Sequence, residues 1–157
     1  MSPDTQDEAS VDEQFRSLLE GLRTSIPAVQ VLFAFLLTAP LQGKFDTLTE
    51  AERIAFAVAF YASGAASVLL VAPSVHQRMR APATGMQRHS ERHLAWATWL
   101  GITGSISALI AISATVYLVS NIVFDAMVAI VAATLITALS CWAWVFLPIV
   151  TFRSRNG

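Results

Sequence analysis

Three histidines are the residues of this sequence whose type and spacing come closest to a chemical site. His89 and His93 are four residues apart, which puts two imidazoles on one face of a helix, and His76 lies at the other end of the same polar stretch. A catalytic zinc site usually needs three protein ligands and a bound water, and no Glu follows His89 as the H-E-x-x-H motif requires. We therefore predict no metal site, and keep a metal-responsive sensor built on these histidines as an alternative.

Four arginines in the same polar stretch could attract the anionic headgroups of membrane lipids. Each basic residue near an anionic membrane surface is worth about 1 kcal/mol. A simpler interpretation is that their positive charge only sets the orientation of the chain in a membrane. Membrane lipids are a predicted partner in either case. The arginines are Arg78, Arg80, Arg88 and Arg92.

Groups for acid–base, nucleophilic or phosphate chemistry do not stand out. Thr49 to Glu52 has the pattern of a capping box, in which Thr and Glu satisfy free backbone donors at a helix start. Gln30 is the most polar residue within the apolar segments, and we expect it to form a hydrogen bond to another helix. A role in permeation is the alternative for Gln30. We predict no enzymatic activity and no cofactor.

The elements that would position these residues are four segments without Asp, Glu, Lys or Arg, at residues 24–43, 54–75, 94–124 and 126–152. A hydrocarbon core about 30 Å thick needs roughly 20 apolar helical residues to span it. Only 13% of the 157 residues are charged and 55% are hydrophobic, whereas a soluble domain usually has about 25% charged residues. The sequence therefore predicts an all-α, four-helix transmembrane bundle with a short amphipathic helix in front.

The predicted domain organisation is a disordered acidic tail at 1–9, a membrane domain at 10–152 and a basic tail at 153–157. The amphipathic helix should begin at Ser10. Pro27 either opens the first span or kinks a continuous helix. We expect Pro82 and Gly85 to break the second connection, and Ser120 with Asn121 to end the third helix. The spans are predicted at about 26–43, 52–76, 93–119 and 124–151.

Small residues on the predicted spans would let helix backbones approach closely, because water supplies no hydrophobic drive inside a bilayer. Serine and threonine hydroxyls there can bond to backbone carbonyls one turn back. A homo-oligomer or a contact with another membrane protein is thus a further predicted partner. The small residues singled out for helix packing are Gly64, Gly101, Gly104 and Ser105.

The distribution of positive charge predicts the orientation. Eight of the ten Lys and Arg residues lie in the N-terminal arm, the second connection and the C-terminus, which share one side of a four-span protein. The positive-inside rule puts both termini in the cytoplasm, and we predict a multi-pass protein of a bacterial inner membrane. Trp96, Trp99 and Trp144 would form an inner aromatic belt, with Trp142 packed inside the bundle. A net charge of −1 argues against nucleic acid as a partner.

Three groups of residues give the chain a resemblance to a known family. The run from Ile26 to Pro40 followed by Phe45, the Ala72-Pro73 pair with His76 and Arg78, and the run from Val119 to Phe124 are similar to a small actinobacterial membrane protein family of unknown function. The similarity covers roughly residues 18–148. It implies four spans and no established activity. Some relatives carry a sodium–proton antiporter label, but Asn121 stands where relatives often have Asp.

These observations indicate an integral membrane protein whose biochemical role the sequence does not reveal. Transporters and proton relays generally keep an Asp, Glu, Lys, Arg or His inside the membrane, and none lies within the four uncharged segments. We therefore expect a non-enzymatic accessory or interaction protein. A small oligomeric transporter or channel is the alternative.

Overall fold

The computed structural model describes residues 3–43, 45–84 and 91–146, and side chains over most of these ranges. Within them the chain forms helices and no strand, which confirms the all-α prediction. Two 3₁₀ turns, Ala39–Leu41 and Phe45–Thr47, connect the first two long helices. A π-helical segment, Trp142–Phe146, follows the fourth. The long helices are α1 (Pro3–Thr38), α2 (Glu50–Thr84), α3 (Glu91–Val123) and α4 (Ala126–Cys141).

Four segments of the described residues are long and apolar enough to cross a membrane, as the sequence predicted. The shortest has 19 residues, and at about 1.5 Å per residue it is close to the thickness of the hydrocarbon core. The chain is therefore a multi-pass membrane protein. The four segments are Arg16–Leu41, Glu50–His76, Leu94–Val123 and Ala126–Trp144.

The amphipathic stretch and the first span form one continuous helix, α1, with Pro27 inside it. This decides between the two alternatives that the sequence left open for Pro27. The missing N–H of a helical proline forfeits one bond, here to the carbonyl of Arg23, and the rest of the helix remains bonded. Because α1 begins at Pro3, the expectation of a helix start at Ser10 was wrong, and residues 3–9 of the predicted disordered tail are part of the helix.

Helices α2 and α3 both run past their predicted ends. Helix α2 continues to Thr84 and includes Pro82, whereas Gly85 lies outside the described residues. Helix α3 includes Ser120 and Asn121 and ends at Val123, so the prediction that this pair breaks the helix was wrong. Only Phe124 and Asp125 separate α3 from α4.

The chain divides into two compact units that share the long helices. Unit one comprises Met1–Phe35 and Ser63–Ala108. Its core contains side chains from α1, α2 and α3, and Leu18 and Ile26 pack against it. Small side chains at the helix contacts bring the backbones close together, as membrane helices need. The buried members are Leu22, Val29, Ala66, Leu70 and Ala108.

Unit two comprises Leu36–Ala62 and Leu109–Gly157. Within it, the hydroxyl oxygens of Thr137 on α4 and Ser113 on α3 lie 2.8 Å apart in a hydrogen bond. Phe45 and Phe56 pack edge to face with their ring centroids 4.9 Å apart. The buried apolar residues of this unit are Leu36, Ala55, Ala59, Ala111, Leu118 and Ala129.

Large apolar side chains cover the outside of α4. Met127, Leu135 and Leu139 are 77%, 64% and 59% exposed, an arrangement that suits hydrocarbon rather than water. Trp142 is 53% exposed, so the expectation that it packs inside the bundle was wrong.

Candidate functional site

The first turn of α2 holds a buried carboxylate, that of Glu52, which is 8% exposed. The local sequence explains its position, because Thr49 and Glu52 form the predicted capping box. The Thr49 backbone N–H and hydroxyl donate to Glu52 Oε2 at 2.7 and 2.9 Å. In return, the Glu52 backbone N–H donates to the Thr49 hydroxyl oxygen at 3.4 Å. The reciprocal bonds satisfy free donors at the helix start and fix the carboxylate.

The other oxygen of this carboxylate has a partner from a distant part of the sequence. The side-chain amide of Asn121, in the last turn of α3, donates to Glu52 Oε1 at 2.9 Å. Sixty-nine residues separate the two, and both belong to unit two. We call these two residues the Glu52–Asn121 pair. It joins the beginning of α2 to the end of α3.

Among the described residues, the partners of the Glu52 carboxylate are neutral hydrogen-bond donors and not a cation. The carboxylate accepts three hydrogen bonds, two from Thr49 and one from Asn121. Hydrogen bonds to a charged group are stronger than those between neutral groups, and a buried carboxylate without them would be costly. The neighbouring Arg53 side chain is exposed and donates to the carbonyls of Leu48 and Asp46 at 3.3 and 3.2 Å.

Asp125 lies close to Asn121 in sequence and has a separate role. Its backbone is extended, with φ −149° and ψ 172°, and its Oδ1 accepts the N–H of Val128 at 2.9 Å. It is therefore the N-cap of α4. This cap and the two-residue connection explain how α3 can extend through Asn121 and still be followed at once by another helix.

Gln30 occupies a position that differs from the expected one. Its side chain is exposed on α1 and forms no hydrogen bond with another described residue, so the expected bond to another helix is not found in the part of the chain that the structure describes. The phase of the helix explains this, because Val29 and Leu36 occupy the buried face of α1. At about 100° per residue, Gln30 points well away from Val29.

The residues proposed for metal and lipid binding lie largely beyond what the structure describes. His76 is exposed near the end of the second span. The described residues contain no group of three His, Cys, Asp or Glu that could hold a metal ion. The candidates whose side chains lie outside the described residues are His89, His93, Arg78, Arg80, Arg88 and Arg92. The metal and headgroup hypotheses therefore stay predictions.

The small residues singled out for packing lie at helix contacts of unit one. A Cβ added to Gly104 would lie 2.8 Å from Leu70 Cδ2, whereas one added to Gly101 would lie 3.6 Å from Leu22 Cδ2. A Cβ on Gly64 would meet the Phe33 ring at 3.4 Å. The Ser105 hydroxyl donates to the Gly101 carbonyl at 2.9 Å. Gly104 thus marks the closest approach of two helices among these positions.

A polar groove of about 530 Å³ lies between α1 and α3 in unit one. Its lining includes the hydroxyls of Ser25 and Thr98, which donate to the carbonyls of Gly21 and Leu94. Ser105 also lines the groove and is bonded in the same way. The groove has no charged side chain among its lining residues. Its lining is therefore neutral, and three of its hydroxyls donate to carbonyls of their own helices.

Four membrane-spanning helices with a hydrogen-bonded carboxylate between two of them define an all-α, multi-pass integral membrane protein. The chain belongs to the family of unknown function DUF6328, whose model matches residues 4–148. This confirms the resemblance inferred from the first-span run and the residues after it. None of the curated proteins and none of the solved structures matches the chain.

Proposed function

We propose that this chain is a non-enzymatic accessory or interaction protein of the bacterial inner membrane, with both termini in the cytoplasm. The observation that carries the proposal is the state of the Glu52 carboxylate. All three of its hydrogen-bond donors come from its own chain. A carboxylate that binds and releases an ion needs oxygens that solvent or substrate can reach, whereas Glu52 as a residue is only 8% exposed and its carboxylate fixes two helix ends.

The hydroxyl groups of the spans support the same role. Ser67, Thr103 and Thr115 donate to the carbonyl four residues earlier, at 2.9, 2.8 and 2.8 Å. Such bonds satisfy the hydroxyl within its own helix and leave no donor for a passing solute. Thr137 and Ser113 add a bond between α3 and α4. The hydroxyls named here are therefore satisfied within their own helix or by a neighbouring helix.

The experiment that tests this role measures the assembly in which the chain exists. The tagged full-length chain, produced at its native level, would be extracted with a mild detergent and sized by native electrophoresis, and the assembly would be identified by mass spectrometry. We expect a discrete assembly larger than the chain itself, and an unrelated four-span protein with the same tag should not reproduce it. Migration of the chain at its own mass would contradict the proposal.

A small oligomeric transporter or channel is the second candidate, and the position of the Glu52 carboxylate in a candidate span is what favours it. An ionisable side chain within a membrane helix often marks an ion pathway, and Glu52 lies in the first turn of the second candidate span. Purified chain in liposomes under a sodium or proton gradient separates the two candidates. Flux above that of empty liposomes, lost in Glu52→Gln, would support transport and overturn the accessory role.

A further inference from the structure

The outer face of α1 carries a hydrogen-bonding group with no described partner in the chain. We define the Gln30 face as Pro27, Gln30, Val31 and Ala34, all of them exposed. Val31 is 71% exposed. Pro27 and Ala34 are each three or four residues from both Gln30 and Val31, so the four residues share one side of the helix. The opposite side of α1 contributes Leu22 and Val29 to the core of unit one.

The depth of Gln30 in the membrane makes its exposure significant. It lies 14 residues after the beginning and 11 before the end of the candidate span Arg16–Leu41. At about 1.5 Å per residue, these separations put it roughly 21 and 16 Å from the two ends of the span. Both distances exceed half of a hydrocarbon core about 30 Å thick. The amide therefore lies in lipid, where no water can take its bonds.

A second copy of this chain is the partner that best satisfies this amide. A glutamine side chain has both donors and an acceptor. In a contact with two-fold symmetry a residue near the axis meets its own copy, so each amide can donate to the carbonyl oxygen of the other. The neighbouring Ala34 is small and the face has no charge, so two helices can approach. Lipid tails would leave the same bonds unmade.

We propose that the chain forms a two-fold homodimer through the Gln30 face, with the two Gln30 amides bonded to each other. The inference builds on the proposed interaction role and names one surface for it. It can fail while that role stands, because another protein can bind elsewhere on the chain. Bonds of this type between membrane helices make a small but measurable contribution to association.

Cysteine crosslinking in lipid vesicles locates the contact. The full-length chain carries one cysteine, Cys141, which would be replaced in a Cys141→Ser background. Ala34→Cys then reports the Gln30 face, and Val68→Cys is the matched control, because Val68 is also exposed, at 69%, on α2 of the same unit. With the lipid-soluble oxidant copper–phenanthroline, we expect covalent dimers several-fold more abundant for Ala34→Cys. Equal or lower crosslinking than at Val68→Cys would overturn the proposal.

The contribution of the amide is measured by energy transfer between copies labelled at Cys141, which is exposed. We expect Gln30→Leu to weaken dimerisation about tenfold, Gln30→Asn to retain much of it, and Thr103→Leu to leave it unchanged. Thr103 is also exposed, but its hydroxyl is bonded within its own helix. Because Gln30 points outward, helical content by circular dichroism should be the same for all variants. Unchanged dimerisation of Gln30→Leu would overturn the proposal.

The outcomes also separate this inference from the proposed function. Absence of a dimer, together with a native assembly that contains another protein, would refute the Gln30 face and leave the interaction role intact. An ion flux in liposomes would refute the accessory role, whereas the Gln30 face stands or falls by the crosslinking at Ala34→Cys.

Discussion

The Asn121 side-chain amide donates to Glu52 Oε1 at 2.9 Å, and this bond joins the end of α3 to the beginning of α2. The same carboxylate caps its own helix through Thr49. The Glu52 side chain therefore caps the start of α2 and also connects it to α3. Since Glu52 is buried, with 8% of the residue exposed, these bonds replace the water that its carboxylate would otherwise bind.

In unit one, α3 approaches Leu70 of α2 more closely at Gly104 than it approaches Leu22 of α1 at Gly101. This predicts that substitution by alanine changes the stability of the protein very differently at the two glycines. Gly104→Ala should destabilise the protein by about 1–3 kcal/mol, the usual cost of overpacking. Its Cβ would lie 2.8 and 2.9 Å from two atoms of Leu70, which is 1% exposed and has little room to move, and 3.3 Å from Leu69 Cβ. Unfolding in mild detergent, followed by circular dichroism, measures the effect.

Gly101→Ala is the matched control for that variant. Its Cβ would be 3.6 Å from Leu22 Cδ2, an ordinary contact, and alanine favours a helix by up to about 1 kcal/mol over glycine. We therefore expect it to be neutral or stabilising. Equal losses of stability in the two variants would contradict the helix packing described for unit one.

The cap of α4 predicts a loss of about 1 kcal/mol for Asp125→Ala. The variant removes the acceptor of the 2.9 Å bond from the Val128 N–H and leaves that donor unsatisfied at the helix start. Asp46→Ala is the control, because no hydrogen bond of the Asp46 side chain is found among the described residues and its carbonyl bond with Arg53 survives. Unfolding midpoints in detergent compare the variants. A loss at Asp46 as large as that at Asp125 would argue against a specific cap.

The charge distribution predicts where reporter fusions are active. Fluorescent protein fused after residue 157 should fluoresce, because it folds in the cytoplasm, and alkaline phosphatase inserted near residue 44 or 125 should be active on the other side. The positive side of the chain includes Arg153 and Arg155. An active phosphatase fusion at the C-terminus would reverse the proposed orientation.

The sequence predicted the four spans because the absence of charge over about 20 residues reflects the thickness of the bilayer directly. It also predicted the capping box, because Thr49 and Glu52 have a fixed local spacing. It could not predict the bond to Asn121, since no local pattern relates residues 69 positions apart. Asn121 was interpreted as a helix breaker, whereas its side chain is engaged by Glu52 and the helix continues.

The ends of the helices, and the sides of the helices that face the core, were harder to predict from the sequence. Pro27 and Pro82 are tolerated inside long helices, because each removes a single backbone bond that the remaining turns compensate. The outward direction of Gln30 depends on which side of α1 packs against the core. In a segment that is apolar all round, periodicity does not reveal that side.

A double-mutant cycle on the Glu52–Asn121 pair tests most directly whether the carboxylate holds helices together. Glu52→Met and Asn121→Leu, alone and combined, would be compared by unfolding in detergent, and Glu50→Met with Asn121→Leu is the control, because Glu50 is exposed in the same helical turn. Glu52→Met also removes the bonds from Thr49, but it does so both with and without Asn121→Leu, so this loss cancels in the coupling energy. We predict a coupling of about 1–2 kcal/mol for the pair and additive effects, within about 0.5 kcal/mol, for the control. Additive losses for Glu52→Met and Asn121→Leu would contradict the role assigned to this carboxylate.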